Sequence, residues 1–521
     1  MSLSAEGSKP SALCCPANPL TLHLYTLMSL DLTLERQTSQ PLYRQIADHV
    51  RDRIADGALP PGTQLPTVRA MAAQLGVTRL TVQTAYAELQ SGGWVEATTG
   101  RGTFVSAAAQ AARHIANRTV PFTADVVIDD MIHIGHVAGM RSMANASPDP
   151  RLAPTDEFWH VLADMRPQAS VLTEYGAIQG DAELRIELST LLRERGVQAI
   201  PGDILVTDGA TQALSLLTQA LCRQGDTVLV EQPTYLSFLN LARMHGVQAV
   251  AVPLDDQGPE PEALERLVVQ MRPRFLYTIP TFHNPTGRNV SVARRRTLLE
   301  LAARYGFLLV EDDIYARIAY DGPPPPTLMS MDEAECVVYV SSFSKTLMPG
   351  LRIGYVVAPP ALQRRLLDLR RASDLCGPPL LQRAVAEYVR RDGIKRYLRK
   401  VLPIYRERRD ALLGALAATM PPGVRWTQPE GGFCCWLTLP PHPIYDDLYA
   451  AALRQGWAFA PGSVFQAPGG EAPEQALRIC FGQQEPAAIR SGVGVLAQLI
   501  RARMEAAGRL DTRVPDWSPL V

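Results

Sequence analysis

The chain has 521 residues, 46% hydrophobic and 20% charged, and its 51 basic side chains stand against 52 acidic ones for a net charge of −1. That length asks for more than one domain of the usual ~100–200 residues, and the balance excludes both a disordered polymer and a uniformly basic nucleic-acid coat. No run approaches the ~18 uninterrupted apolar residues of a membrane span. The eight cysteines contain no CxxC, so the expected state is reduced cytosolic thiols with neither a zinc ribbon nor a disulfide framework, and no metal. Only four basic residues are lysines, Lys9, Lys345, Lys395 and Lys400, so chemistry that needs a primary amine has few places to occur.

Residues 1–33 lack the order of a signal peptide, because Pro16 and Pro19 break the apolar run. They are expected to form a disordered leader, with Met28 as a candidate start. Pro41 suits a first helical position, and Leu42, Ile46, Val50 and Ile54 repeat at four-residue spacing as one helix stripe. Thr67 is placed to cap a short helix carrying Val68, Met71 and Leu75, and Gly76 allows a tight turn. Thr78 caps a second helix carrying Val82, Ala85 and Leu89. Two short helices joined at a glycine form a helix-turn-helix, whose second helix can lie in the major groove. Trp94 to Val105, WVEATTGRGTFV, reads as two short strands around a tip, a wing. Residues 34–105 hold seven arginines and six acids, so the case rests on the hydroxyl-rich surface TRLTVQT rather than on charge.

Over residues 34–105 this spacing closely resembles the winged-helix domains of the GntR regulators. The resemblance implies binding to double-stranded DNA, with Arg69 reaching a phosphate, Thr78, Arg79 and Thr81 meeting the groove, and Gly100 and Arg101 at the wing tip. Gln83 departs from the basic residue many relatives carry there.

Residues 106–125 are alanine-rich and weakly patterned, and read as a linker. From residue 126 onward, short apolar runs alternate with amphipathic helices: ILVTDGATQALSLL, TVLVEQPTY, FLYTIPTFHNPTG, FLLVEDDIYARI, VVYVSSFSK and RIGYVVAP. This is the pattern of a mostly parallel sheet covered on both faces, in which ligands gather beyond the carboxyl ends of the strands. Lys345 lies there in SSFSKT, with Arg352 seven residues on. Asp312 closes a strand 33 residues before Lys345, and Asn284 precedes Asp312 by 28. A lysine for a Schiff base, a carboxylate to keep a pyridine nitrogen protonated, and hydroxyls with an arginine for a phosphate are what a pyridoxal phosphate enzyme requires. Gly209-Ala210-Thr211 opens a helix, where free N–H groups favour a phosphate.

Together these motifs resemble the fold-type I aminotransferases. By that resemblance the cofactor is pyridoxal 5′-phosphate (PLP) and Lys345 is the catalytic residue that carries it. Asp312 pairs with the pyridinium, and Asn284 and Tyr315 bond the phenolic oxygen. Tyr235 stacks on the ring, and Ala210, Thr211, Ser342, Ser344 and Arg352 bind the phosphate. Ala210 departs from the serine common in relatives. Arg478 resembles the clamp for a substrate carboxylate, and Tyr175 the tyrosine that reaches a partner subunit's site, which implies a homodimer. The last part of the chain, about residues 395–508, fits the small subdomain, with a long amphipathic helix and strands at GGFCCWLTL and ALRICFG. Neighbouring Cys434 and Cys435 are expected on opposite faces of a strand, as filler and sheet surface.

The whole is expected to be multidomain: an N-terminal winged helix-turn-helix and an α/β fold-type I PLP-dependent transferase domain, 126–521, with a smaller α+β C-terminal subdomain. It resembles the MocR subgroup of GntR regulators. That resemblance implies a cytoplasmic, PLP-binding transcription regulator that senses a small amino compound. The alternative is an active aminotransferase with an appended DNA-binding domain.

Overall fold

The computed structural model describes residues 41–55, 58–91, 93–98, 101–106, 140–441, 445, 447–468 and 475–511, with Leu32, Leu34 and Glu35. Gly100, most of the leader, and all but Ser106 of the expected linker lie outside the described residues. The chain divides into two compact units, Met1–Gln110 and Ala111–Val521.

In the first unit, α1 (Leu42–Ala55) buries Ile46, Val50 and Ile54, three of the four stripe positions. Pro41 is the residue before the helix rather than its first turn: its carbonyl accepts from the Arg44 and Gln45 amides. Proline serves equally there, since its own N–H would go unused in either place. In α2 (Val68–Leu75) the Thr67 hydroxyl accepts from the Ala70 amide at 3.2 Å, and Gly76 turns left-handed at φ 63. In α3 (Arg79–Ser91) the Thr78 hydroxyl accepts from the Thr81 amide at 3.2 Å, and Val82, Ala85 and Leu89 face the core. β1 (Val95–Thr98) and β2 (Gly102–Val105) pair antiparallel as the wing.

In the second unit, β3 (Ile204–Thr207), β4 (Thr227–Gln232), β5 (Gln248–Asp255), β6 (Gly258–Pro259), β7 (Phe275–Thr278), β8 (Leu308–Asp312), β9 (Val337–Ser342) and β10 (Gly354–Val357) form one sheet. Their spatial order is β3-β10-β9-β8-β7-β4-β5-β6. β5, β4, β7, β8 and β9 run parallel, whereas β10 is antiparallel to both neighbours. Alternate residues feed cores on opposite faces. Val338 and Val340 pack with Leu205, Leu214 and Phe238, while Val337 packs with Leu276, Leu298 and Leu309. Sandwiching of this kind is why the runs read as continuously apolar.

The smaller sheet is antiparallel, ordered β11-β12-β14-β13, from β11 (Arg425–Trp426), β12 (Cys434–Thr438), β13 (Ala460–Pro461) and β14 (Ala476–Cys480). Helix α5 (Gly393–Thr419), which continues through Pro403, and helix α6 (Pro486–Asp511) belong to the same subdomain. The short strand Arg141–Ser142 runs parallel to Trp457–Ala458, and beyond it the Met143 carbonyl accepts from the Cys480 amide at 2.7 Å. Arg408 of α5 bonds Asp149 at 2.9 Å, Glu485 at 2.7 Å and the Gly482 carbonyl, which ties this lead-in to the subdomain.

One expectation fails here. Cys434 and Cys435 do point opposite ways, but neither lies on a sheet surface: they are 1% and 0% exposed. Both faces of β12 are covered, Cys435 by the main core and Cys434 by Ala146 and Cys480.

Candidate cofactor site and nucleic-acid interface

The carboxyl ends of β7, β8 and β9 lie side by side, Val340 opposite Asp312 and Thr278 opposite Glu311. They bring residues distant in sequence to one edge. Asp312 is buried. Its Oδ2 accepts from the Tyr277 hydroxyl at 2.8 Å, and its Oδ1 has no hydrogen-bond partner within the protein. Burial pushes this carboxyl up to about 7, against the Tyr277 hydrogen bond. Lys345, just beyond β9, donates from Nζ to the Ala146 carbonyl at 2.8 Å and sits 5.9 Å from the centre of the Tyr315 ring. Desolvation, helped by the Arg478 charge, pulls its amine down to about 8. A larger share is therefore the neutral, nucleophilic form than in an exposed lysine.

Arg478, on β14, donates from Nη1 to Asn284 Oδ1 at 2.7 Å and from Nη2 to the Ala144 carbonyl, with its guanidinium 4.5 Å from the Phe465 ring centre. Asn284 Nδ2 donates to the Tyr315 hydroxyl at 3.5 Å, and that hydroxyl donates to the Ala146 carbonyl at 3.4 Å. Tyr235 is the residue just before the helix Leu236–Met244, and it interacts electrostatically with Asp312, Arg478 and Arg352.

The helix α4 (Ala210–Leu221) opens at Gly209 with no side-chain cap, and the first N–H groups of a helix have no partner within it. Gly209 sits at φ 85, and a Cβ there would lie 2.5 Å from Arg352 Nη2. A Cβ on Gly354 would lie 2.5 Å from the Gly209 carbonyl carbon. Only glycine permits this close approach. Arg352, itself left-handed at φ 53, donates to the Asp208 carbonyl at 3.1 Å, and the Ser344 amide donates to the Ser342 hydroxyl at 3.3 Å. N–H groups, hydroxyls and one arginine around a glycine-lined cradle are the donor set for a phosphate dianion, and the bare Oδ1 of Asp312 is an acceptor for a protonated ring nitrogen. The residues present fit PLP.

Sequence reasoning missed several contributors. Tyr277 read as one more apolar strand residue. The Ala144 and Ala146 carbonyls leave no side-chain signature. Under the cradle, the buried Arg370 holds Asp208 at 3.4 Å and Asp374 at 2.9 Å and bonds Gln212, a network assembled from three separate elements. Tyr175 is 87% exposed and is not gathered with the other site residues within one chain.

The raised Asp312 carries a pH signature. An acid whose pKa rises on folding, from an ordinary value near 4 to about 7, contributes stability below the former that is lost as pH climbs through the latter. Cofactor-free protein should melt at falling temperature from about pH 5 to about pH 8, and Asp312→Asn should make that fall shallower. An unaltered slope in thermal melts would remove Asp312 as its source.

In the first unit Arg69, Thr78, Arg79 and Arg101 are exposed and Thr81 is half-buried. The Thr78 and Thr81 hydroxyls are 2.9 Å apart. Leu80, on the same turn, is 71% exposed. The Gln64 amide donates to the Arg101 carbonyl at 2.9 Å and steadies the wing turn.

The family model for aminotransferases of class I and II matches residues 144–495, and that for bacterial regulatory proteins of the gntR family matches residues 42–105. The chain is 30% identical over 438 residues to the uncharacterized HTH-type transcriptional regulator YdfD of Bacillus subtilis, covering 82% of this chain and 90% of that one. It is 30% identical over 486 residues to the HTH-type transcriptional regulator TauR of Rhodobacter capsulatus, covering 88% and 96%. The chain belongs to the MocR-type GntR regulators. The aminotransferase-like part of this MocR-type regulator also matches the crystal structure of LysN, an alpha-aminoadipate aminotransferase from Thermus thermophilus complexed with N-(5'-phosphopyridoxyl)-L-leucine. That match has a TM-score of 0.68 at 32% identity, over 73% of this chain and 95% of that one. The cofactor of the MocR-type regulator is PLP. None of its described helices is long and apolar enough to cross a membrane.

Proposed function

We propose that this regulator uses its PLP site to detect a small amino compound and answers by changing its grip on operator DNA, as a cytoplasmic homodimer. The observation that carries the reading is the convergence of Lys345 and the bare Oδ1 of Asp312, at the carboxyl ends of the large sheet, with Arg478 of the smaller one, in a chain that also carries a capped helix-turn-helix. When bound, the cofactor supplies an aldehyde that condenses with amines and a ring that draws electrons from the carbon next to nitrogen. Lys345 anchors it and receives or returns a proton at Nζ. Asp312 holds the ring nitrogen protonated through Oδ1, with Tyr277 fixing the carboxylate's orientation. Asn284 and Tyr315 hold the phenolic oxygen, and Tyr235 covers the ring. The Ala210 and Thr211 amides, the hydroxyls of Thr211, Ser342 and Ser344, and Arg352 take the phosphate. Arg478 clamps the effector's carboxylate, for which its planar fork is suited. Tyr175, exposed in one chain, reaches the site of a second.

On the DNA side, Arg69 contacts a phosphate, Thr78, Arg79 and Thr81 meet the major groove, and Gly100 and Arg101 form the wing tip. Arg79→Ala should weaken operator binding about tenfold without altering the cofactor spectrum, and binding should fall steeply with salt. Footprinting and fluorescence anisotropy on the DNA upstream of the chain's own and adjacent genes, with and without a panel of amines and amino acids, test the whole reading. A second reading, a working aminotransferase, draws support from the complete set of Asn284, Asp312, Tyr315, Lys345, Arg352 and Arg478. Turnover with an oxo acid near about 1 s⁻¹, together with no footprint, would favour it over regulation.

A further inference from the structure

β12 and β14 are adjacent antiparallel strands, and their register sets Cys434 directly opposite Cys480. The Cys480 amide donates to Met143 rather than across to Cys434, while the Phe481 amide donates to the Phe433 carbonyl. The cysteines therefore occupy a non-hydrogen-bonded pair, in which Cα atoms lie about 4.5 Å apart. That separation falls at the short end of the range disulfides span. Their sulfurs are 3.9 Å apart, both side chains are buried, and with Ala146 they form a small cluster of their own. Cys435, next in sequence, faces the other way, where its thiol donates to the Thr427 carbonyl at 3.2 Å.

The pair borders the cofactor residues. The Cys434 thiol donates to Asn284 Oδ1 at 3.6 Å, the same oxygen that takes Arg478 Nη1, and the Cys480 thiol donates to the Ala144 carbonyl at 3.8 Å, which takes Nη2. Burial pushes Cys480 up, but the Cys434 hydrogen bond and the Arg478 and Lys345 charges bring it below the usual thiol range, while burial holds Cys434 well above that range. Cys480 is thus the more readily ionised sulfur and Cys434 the one that keeps its proton, the order that favours stepwise oxidation.

We propose that Cys434 and Cys480 are a redox modification site, a thiol pair that a hydroperoxide converts to a disulfide beside the cofactor lysine. The Cys480 thiolate attacks a peroxide oxygen, and the O–O bond breaks with loss of an alkoxide, or hydroxide from hydrogen peroxide, leaving a sulfenic acid. The Cys434 sulfur then attacks that sulfur, the S–O bond breaks, and the departing hydroxide leaves as water with the Cys434 proton. The two sulfurs give up two electrons and the peroxide takes them. The disulfide deprives Asn284 of its thiol donor, Cys434. It also removes the negative charge facing Lys345 and Arg478, which disfavours a cation at the lysine nitrogen.

Peptide mapping of full-length, cofactor-free protein after hydrogen peroxide and alkylation should show a 434–480 cross-link that dithiothreitol reverses and Cys480→Ser abolishes. Oxidation of either cysteine without the cross-link would overturn the proposal, as would a cross-link to Cys435. This readout is independent of the proposed function. The second readout rests on that function: in PLP-loaded protein, oxidation should move the pH midpoint of the bound cofactor's visible spectrum down by about one unit. Cys434→Ser should remove that response to peroxide. A cross-link that leaves the midpoint in place would overturn the proposed effect of the disulfide on the cofactor lysine.

Discussion

Replacing Lys345 by alanine should leave a folded protein that stays colourless when PLP is added. Only two other lysines are among the described residues, Lys395 and Lys400, and both are exposed on α5 rather than in the site. Neither can take over. The fold should survive because the substitution removes only two hydrogen bonds, Nζ to the Ala146 carbonyl at 2.8 Å and a long one to the Ser147 hydroxyl at 3.5 Å, each worth about 1 kcal/mol net at most. Borohydride treatment followed by peptide mass mapping gives the check. Native protein should carry the reduced cofactor on the peptide containing Lys345, and the variant should carry none. A band that persists in Lys345→Ala, or label on α5, would mean that the cofactor is held elsewhere.

The largest effect on stability is expected at Arg408. Its side chain is 1% exposed, bonded to Asp149, itself 1% exposed, to Glu485 and to the Gly482 carbonyl, and it packs 5.8 Å from the Tyr405 ring centre. Removing one partner of a buried pair costs about 3–5 kcal/mol, because the other charge is left behind. Arg151 still reaches Asp149, through a guanidinium that is 59% exposed. Arg408→Met should therefore fall near the lower figure, about 3 kcal/mol, read on the second unit's transition in denaturant. A loss below about 1 kcal/mol would show that Arg151 alone compensates Asp149.

The winged helix and the mostly parallel, doubly covered sheet were legible because both depend on short-range patterning. Thr67, Gly76 and Thr78 punctuate helices at the expected places, and the apolar runs of β4, β7, β8 and β9 announce a sheet buried on both faces. Lys345, Asp312 and Asn284 were legible because a parallel sheet places strand ends together. What escaped were relationships between elements. Nothing local in LRIC or FCCW says that strands 46 residues apart will set two thiols opposite one another. Arg370 looks like any helix arginine until Asp208, Gln212 and Asp374 converge on it. For Cys434 and Cys435 the sequence implies filler and surface, because alternation along one strand cannot reveal that both of its faces are covered.

Arg478 and Lys345 are already engaged before any ligand arrives, one by the Ala144 carbonyl and the other by that of Ala146. A carboxylate that seizes the first, or an aldehyde that captures the second, must therefore enter by displacement. Each displacement takes a donor from a carbonyl of the same five-residue run, 143–147, and leaves that oxygen to its weaker partner, the Cys480 thiol at 3.8 Å for Ala144 and the Tyr315 hydroxyl at 3.4 Å for Ala146. Occupancy of the proposed site would thereby be felt first in the backbone of that run, whose two carbonyls would each lose one of their donors.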